Sequence, residues 1–259
     1  MNDNQNTSLN TPPFRGAGGV GFQGMIFAAG LGTRFKPWTD KHPKALAVVN
    51  GKSLLQHNIE YLQQYGITNV VVNVHHFADQ IITALEKNKG WGSTITISDE
   101  TDMVLETGGG IKKAEPLFTA ENIVVINVDI LTDLDLGKLI AFHQQQAPIS
   151  TLAITNRTTS RYFLFDENNT LCGWRNTKTG EEKIARPATA YIPKAFSGIH
   201  VISKKLLSLI QRTGKFSIVD TYLELAATHT IKGFDHSGSR FIDVGKPDSV
   251  AEAEQLFGE

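Results

Sequence analysis

From Met25 onward the chain alternates short apolar runs with segments of helical period, and this alternation restricts the fold more than any other feature. Met25 to Ala29 reads as a buried strand that ends in a glycine-rich loop. Ala45 to Val49 reads as a short strand closed by the Asn50-Gly51 turn. Ser53 can cap a helix that carries Leu55, Ile59 and Leu62 on one face, and Gly66 stops it. Val70 to Val74, with four valines in five residues, forms the next strand. Ala78, Ile81, Ile82 and Leu85 then fall at i, i+3, i+4 and i+7 of a second helix. Thr94 to Ser98 and Ile123 to Asn127 are further strands, with a helix expected between them after Gly110. This order predicts an α/β fold, a Rossmann-like mixed and mostly parallel sheet flanked by helices, whose chemistry sits on loops at the carboxyl ends of the strands.

After about residue 150 the pattern changes. Thr151 to Thr155, Tyr162 to Asp166 and Leu171 to Arg175 read as short antiparallel or mixed strands. A helix with Val219, Tyr222, Leu223 and Ala226 on one face follows, and a last helix starts after Pro247. No internal repeat or clean linker interrupts the chain, so residues 25–259 are expected to form one domain behind a flexible leader of residues 1–24. Gly19 to Gly24 matches the dinucleotide-binding GxGxxG by letter, but it precedes a strand where that motif must follow one and open a helix.

Composition narrows the function classes. Among 259 residues, 25 Lys+Arg stand against 26 Asp+Glu, a formal net charge of −1. A broad basic surface for nucleic acid or anionic membrane is therefore not expected. A single cysteine, Cys172, rules out a disulfide framework within the chain and points to a reducing cytoplasm. No apolar stretch approaches the roughly 20 residues of a bilayer span.

The chemistry concentrates in the stretch from Ala28 to Leu46. Small residues and glycines let backbone approach an anion closely and aim N–H groups at it, and Arg34 and Lys44 place two cations beside that loop. It is not a Walker A loop, because no Gly-Lys-Ser/Thr follows the glycines. Taken together, Gly30-Leu31-Gly32-Thr33-Arg34 and Pro43-Lys44, with Glu106-Thr-Gly-Gly-Gly110, Asn127-Val-Asp129, Phe196-Ser-Gly-Ile199 and Phe241-Ile-Asp-Val-Gly245, resemble the signature blocks of the sugar-1-phosphate nucleotidyltransferases. The resemblance runs from Met25 to about Leu256. It looks most like the short uridylyltransferases acting on N-acetylmuramic acid 1-phosphate, with mannose-1-phosphate guanylyltransferases as close relatives.

What the resemblance implies is specific. The fold would be of the nucleotide-diphospho-sugar transferase type, and residues 25–259 its catalytic domain. A sugar-phosphate oxygen would attack the α-phosphorus of a nucleoside triphosphate, most simply UTP, and pyrophosphate would leave. Arg34 would hold the triphosphate and Lys44 would bridge the α-phosphate and the sugar phosphate, the two as catalytic residues. Ala28, Gly30, Leu31, Gly32 and Thr33 would line the nucleotide, with Asn73, Glu106, Thr107 and Gly108 near the base. Asn127, Ser197 and Gly198 would line the sugar side. Mg2+ would be held by Asp129 and Asp243. Asn73 could equally be a strand-end residue satisfying backbone. Many relatives carry a Glu-Lys-Pro block whose lysine grips the sugar phosphate; Glu182-Lys-Ile-Ala-Arg-Pro187 does not match it, which leaves Lys183, Arg186 or Arg175 as substitutes.

Three other readings compete with this one. Asp133-Leu-Asp135 offers the DxD of a metal-dependent glycosyltransferase, although Asp135 can instead cap the helix beginning near Leu136. A non-catalytic nucleotide-sugar-binding protein could share the fold. His75-His76 suggests a metal, but neighbours in an extended chain point to opposite faces.

Overall fold

Alternate residues of a buried strand must find different neighbours above and below the sheet, and β1 (Phe22–Phe27) does so along its whole length. The computed structural model describes residues 21–258. β2 (Val48–Val49) and β3 (Lys52–Ser53) form a small hairpin turned by Asn50 and Gly51, both at positive φ (47° and 77°). Ser53 Oγ accepts the N–H of Gln56 at the head of α1 (Leu54–Gln64). There follow β4 (Asn69–Val74), α2 (Ala78–Lys87), β5 (Thr94–Asp99), α3 (Glu106–Ala114) and β6 (Asn122–Asn127). The order β6-β1-β4-β5 is parallel throughout.

The second half contains β7 (Ile130–Thr132), α4 (Leu136–Gln146), β8 (Ser150–Thr155), β9 (Arg161–Phe165), β10 (Leu171–Asn176) and β11 (Glu182–Ile184). The long β12 (Ile192–Ser203), α5 (Lys204–Leu209), α6 (Ile218–Ala226), β13 (Ile231–Asp235), β14 (Phe241–Asp243) and α7 (Asp248–Phe257) complete it. β12 joins the two halves, antiparallel to β6, β8 and β9, and β9, β10 and β11 extend the 10-stranded sheet as antiparallel neighbours. The mixed, helix-flanked sheet agrees with the sequence reading.

Two apolar layers sandwich the sheet. Ile26, Val72 and Val124 face Leu55 of α1, Ile81 of α2, Leu139 of α4 and Ala253 of α7. Met25, Val71 and Val125 face Ile111 of α3, Leu206 of α5 and Tyr222 of α6. Among the described residues no helix is long and apolar enough to cross a membrane.

Three expectations shift. The flexible leader assigned to residues 1–24 lies outside the described residues up to residue 20, but Phe22, Gln23 and Gly24 belong to β1 and are covered on both sides. Gly24, the last letter of the GxGxxG string, is a packing seat: a Cβ there would stand 2.8 Å from Leu62 Cδ1 of α1. The strand expected from Ala45 is instead a single 3-10 turn at Lys44–Leu46 before the two-residue β2, because the chain must bend to bring Lys44 under the loop. The helix expected after Gly110 starts at Glu106 and includes the glycine triplet, since close packing there overrides weak glycine propensity.

Burial also makes the fold sensitive to acid. It lowers the pKa of His200 to about 3 and that of His143 to about 4, below the ordinary 6.5, so both stay neutral in the fold. As pH falls from 6.5 towards 4 the unfolded chain takes up these protons first, so stability is retained above that window and lost through it. At pH 5 the two residues should together cost about 4 kcal/mol relative to neutral pH. Urea unfolding at both pH values checks this, and a His143→Asn/His200→Asn variant should show a flatter dependence.

Candidate active site

The site begins where β1 ends. Asn73, at the carboxyl end of β4, accepts the N–H groups of Ala28 and Ala29 on its Oδ1 (2.7 and 3.2 Å) and donates Nδ2 to Glu100 Oε1 (2.7 Å). Glu100 Oε2 in turn accepts the Leu105 N–H (3.2 Å). Of the two readings open for Asn73, the geometry matches the strand-end one, because its amide is committed to backbone and to Glu100. Glu100 is fully buried, and desolvation raises its carboxyl pKa against the lowering pull of its hydrogen bonds.

Beyond Ala29 the loop opens. Nothing lies within 4 Å of a Cβ placed on Gly30. Gly32 has φ 58°, and a Cβ there would meet Thr39 Cγ2 at 2.8 Å and Lys44 Cβ at 3.2 Å. The glycine thus lets Lys44 approach the loop, while Thr39 Oγ1 donates to Gly32 O (2.9 Å). Lys44 Nζ forms an ion pair with Asp129, both side chains being 13% exposed.

Asp129 and Asp243 are brought together by backbone register. β7 and β14 form a two-stranded antiparallel sheet with Asp243 opposite Ile130, and the Val244 N–H donates to Asp129 O (2.8 Å). Partial burial and the negative charge of Asp129 raise the pKa of Asp243, while Lys44, Arg34 and Arg157 pull it down. Two neighbouring carboxylates form a hard oxygen donor set that suits a divalent cation. Gly245 completes this end: a Cβ on it would stand 2.8 Å from Arg34 Nη2 and 2.7 Å from Asp243 Oδ1.

A cavity of about 380 Å³ gathers Ala28, Gly30, Leu31, Gly32, Thr33, Lys44, Asn73, Glu106, Thr107, Asn127 and Asp129. Arg34 and Asp243 are outside this lining: they meet at Gly245, and Val244 ties that segment to Asp129, which does line the cavity. Gly198, at φ 74° in an irregular stretch of β12, faces Asn127, whose Nδ2 would lie 2.7 Å from a Cβ there. Ser197 is buried, and its Oγ is hydrogen-bonded to His236 Nε2 (2.7 Å). Gly108 departs from expectation. A Cβ on it would strike the Phe216 ring at 2.4 Å, and its N–H donates to Phe216 O (2.9 Å), so this glycine admits an aromatic ring where close approach of a base was expected.

Sequence reasoning missed Glu100, Val104 and Lys215, which also line the cavity. Lys215 Nζ stands 3.5 Å from Glu106 Oε1 across its mouth. Glu106 holds a left-handed φ of 59°, a conformation that costs a non-glycine residue about 1 kcal/mol or more. The one available signal for Glu100 was its place just past a strand of the parallel half.

The competing readings meet different fates. Asp133 is paired with Arg240 Nε (2.7 Å), and Asp135 caps α4 by accepting the Lys138 N–H (3.1 Å), so neither half of the DxD is free. His75 Nδ1 is bonded to Glu100 O (2.7 Å) and His76 stacks on Phe77. The three cations proposed to replace the Glu-Lys-Pro lysine are engaged elsewhere. Arg175 pairs with Glu182, Lys183 lies over Trp174 and near Glu181 and Asp220, and Arg186 donates to His229 O.

A nucleotidyl transferase family model matches residues 23–258. The chain belongs to that family. It is 31% identical over 242 residues to N-acetylmuramate alpha-1-phosphate uridylyltransferase of Caulobacter vibrioides, covering 91% of this chain and 96% of that protein. It is 27% identical over 239 residues to mannose-1-phosphate guanyltransferase of Yarrowia lipolytica, of whose length it spans 64%. Among solved structures, HddC from Yersinia pseudotuberculosis complexed with GMP-PN superposes with a TM-score of 0.73 at 25% identity, over 91% of this chain and 99% of that one.

In this nucleotidyl transferase the glycines of α3 and the loop separate into packing and cleft positions, and stability reports the difference. A Cβ on Gly109 would fall 2.1 Å from Gly214 O, so Gly109→Ala should cost about 3 kcal/mol, the upper end of ordinary overpacking. Gly30→Ala meets open space and should stay within about 0.5 kcal/mol of the parent. Urea unfolding midpoints compare the two.

Proposed function

We propose that this sugar-1-phosphate nucleotidyltransferase transfers a uridylyl group from UTP to a hexose 1-phosphate of the N-acetylmuramic acid type, giving the UDP-sugar and pyrophosphate. The observation that supports the transfer chemistry is that Gly30 to Thr33, Lys44 and Asp129 line one cavity, with Asp243 and Arg34 meeting at Gly245 in the segment bonded to Asp129. The uridylyltransferase relative, matched over 96% of its length, supports the choice of base and sugar. A second reading, guanylyl transfer to mannose 1-phosphate or a similar sugar, is favoured by the Yarrowia relative and by the GMP-PN complex of the structural neighbour.

The reaction asks for positioning and charge neutralisation more than for covalent help. A sugar-phosphate oxygen attacks the α-phosphorus in line, the new P–O bond forms, and the bond to the β-phosphate bridging oxygen breaks as pyrophosphate leaves. The attacking oxygen is already anionic, so no general base is required. Arg34, held beside Gly245, faces the triphosphate and the departing pyrophosphate. Lys44 sits between the loop and Asp129, where it can lie against both the α-phosphate and the incoming anion and offset their repulsion. Asp129 and Asp243 would hold Mg2+, which supplies Lewis-acid neutralisation of the phosphates when bound. Asn73 keeps the loop's first residues in place by tying the strand end.

Pyrophosphate release over a matrix of nucleoside triphosphates and sugar 1-phosphates with magnesium tests the reading. Activity confined to one base and one sugar identifies the substrates, and silence over the whole matrix overturns the proposal. Asp129→Ala should lose at least about a hundredfold in turnover. Near-parental turnover in that variant would remove Asp129 from the metal site.

A further inference from the structure

We propose that Arg157 binds the phosphate of the sugar 1-phosphate from the Phe241 face of β14. The proposal rests on the nucleotidyl-transfer reading, and it concerns a residue that no motif singled out.

Arg157 lies just past the carboxyl end of β8 and is anchored at two points. Its Nη2 donates to Phe196 O (2.9 Å), next to Ser197-Gly198, and its guanidinium carbon stands 5.3 Å from the centroid of the Phe241 ring. Phe241 and Asp243 are two residues apart on β14, so their side chains leave the same face of that strand. Stacking on Phe241 therefore places the guanidinium on the face that carries Asp243.

The anchoring leaves most of the group available. A guanidinium offers five N–H donors, of which the hydrogen bond to Phe196 uses one, and its planar fork matches a phosphate in a two-point contact. Among the described residues Arg157 has no carboxylate partner. Its neighbours on this side differ: Lys194 is held by Asp235 (2.6 Å) and Asn156 (2.7 Å), and Arg240 by Asp133 (2.7 Å). Two carboxylates at the heart of the site repel an incoming sugar phosphate, and Lys44 is already paired with one of them. A pre-oriented cation on the acceptor side offsets that repulsion. The buried, neutral His236, its pKa lowered to about 4, packs its ring 6.0 Å from Phe241 and adds no competing charge to this wall.

The test is steady-state kinetics of the parent, R157Q and R157K on an active NTP and sugar 1-phosphate pair, with thermal melting to confirm folding. R157Q should raise KM for the sugar 1-phosphate at least about tenfold while KM for the NTP stays within about twofold, and R157K should recover part of the loss. The same KM defect is expected with a neutral-sugar 1-phosphate. A defect seen only with a sugar bearing a carboxylate would overturn the phosphate assignment. Equal rises in both KM values, a fall in kcat alone, or parental kinetics in R157Q would overturn it too. A parent silent on every substrate pair would overturn the nucleotidyl-transfer reading itself and this proposal with it, whereas an active parent with an unaffected R157Q overturns this proposal alone.

Discussion

The site depends on a three-residue strand pairing. β7 follows directly from Asp129, β14 ends in Asp243, and the antiparallel register between them, continued by the Val244 N–H on Asp129 O, sets two carboxylates from distant parts of the chain side by side. Burial first, and then the charge of Asp129, raises the pKa of Asp243. The surrounding positive charge opposes that rise. Lys44 arrives on its 3-10 turn, and Arg34 arrives because Gly245 leaves room for its guanidinium.

On the proposed function, that arrangement would let a chain with a formal charge of −1 handle polyanionic substrates. The cations are few and each is placed by a particular absence of side chain or a particular turn. Gly32 lets Lys44 approach the loop, and Gly245 does the same for Arg34 beside Asp243. Charge is managed locally, in a cleft where low dielectric strengthens each interaction, and the total stays near zero.

Much of this was legible in the sequence, and the exceptions share a cause. Strands such as Val70 to Val74 declare themselves by composition, and Ser53 and Gly66 bound α1 by rules local to the chain. The loop, Lys44, Asp129 and Asp243 could be proposed from sequence because their residue types stand in an order that resembles the family's blocks. What escaped was set by contact across the fold. Gly24 looked like leader because its partner, Leu62, is remote in sequence, and Gly108 looked like a ligand contact because Phe216 is. Glu100 is an ordinary carboxylate until Asn73 and Leu105 close on it. Arg157 carries no motif, and only its stacking on Phe241 and its bond to Phe196 place it beside β14 and the Ser197-Gly198 stretch.

The docking of α3 carries one more consequence. Gly108 and Gly109 press backbone to backbone against residues 214 to 216, so the spacing between these two walls is set by residues without side chains. The groups that face the cavity from the same walls, Glu106 and Lys215, are exposed and lie outside that contact. Cleft width and cleft chemistry are thus encoded at separate positions. A substitution at Glu106 or Lys215 would therefore alter the charge lining the cavity while the spacing of its walls stayed as it was.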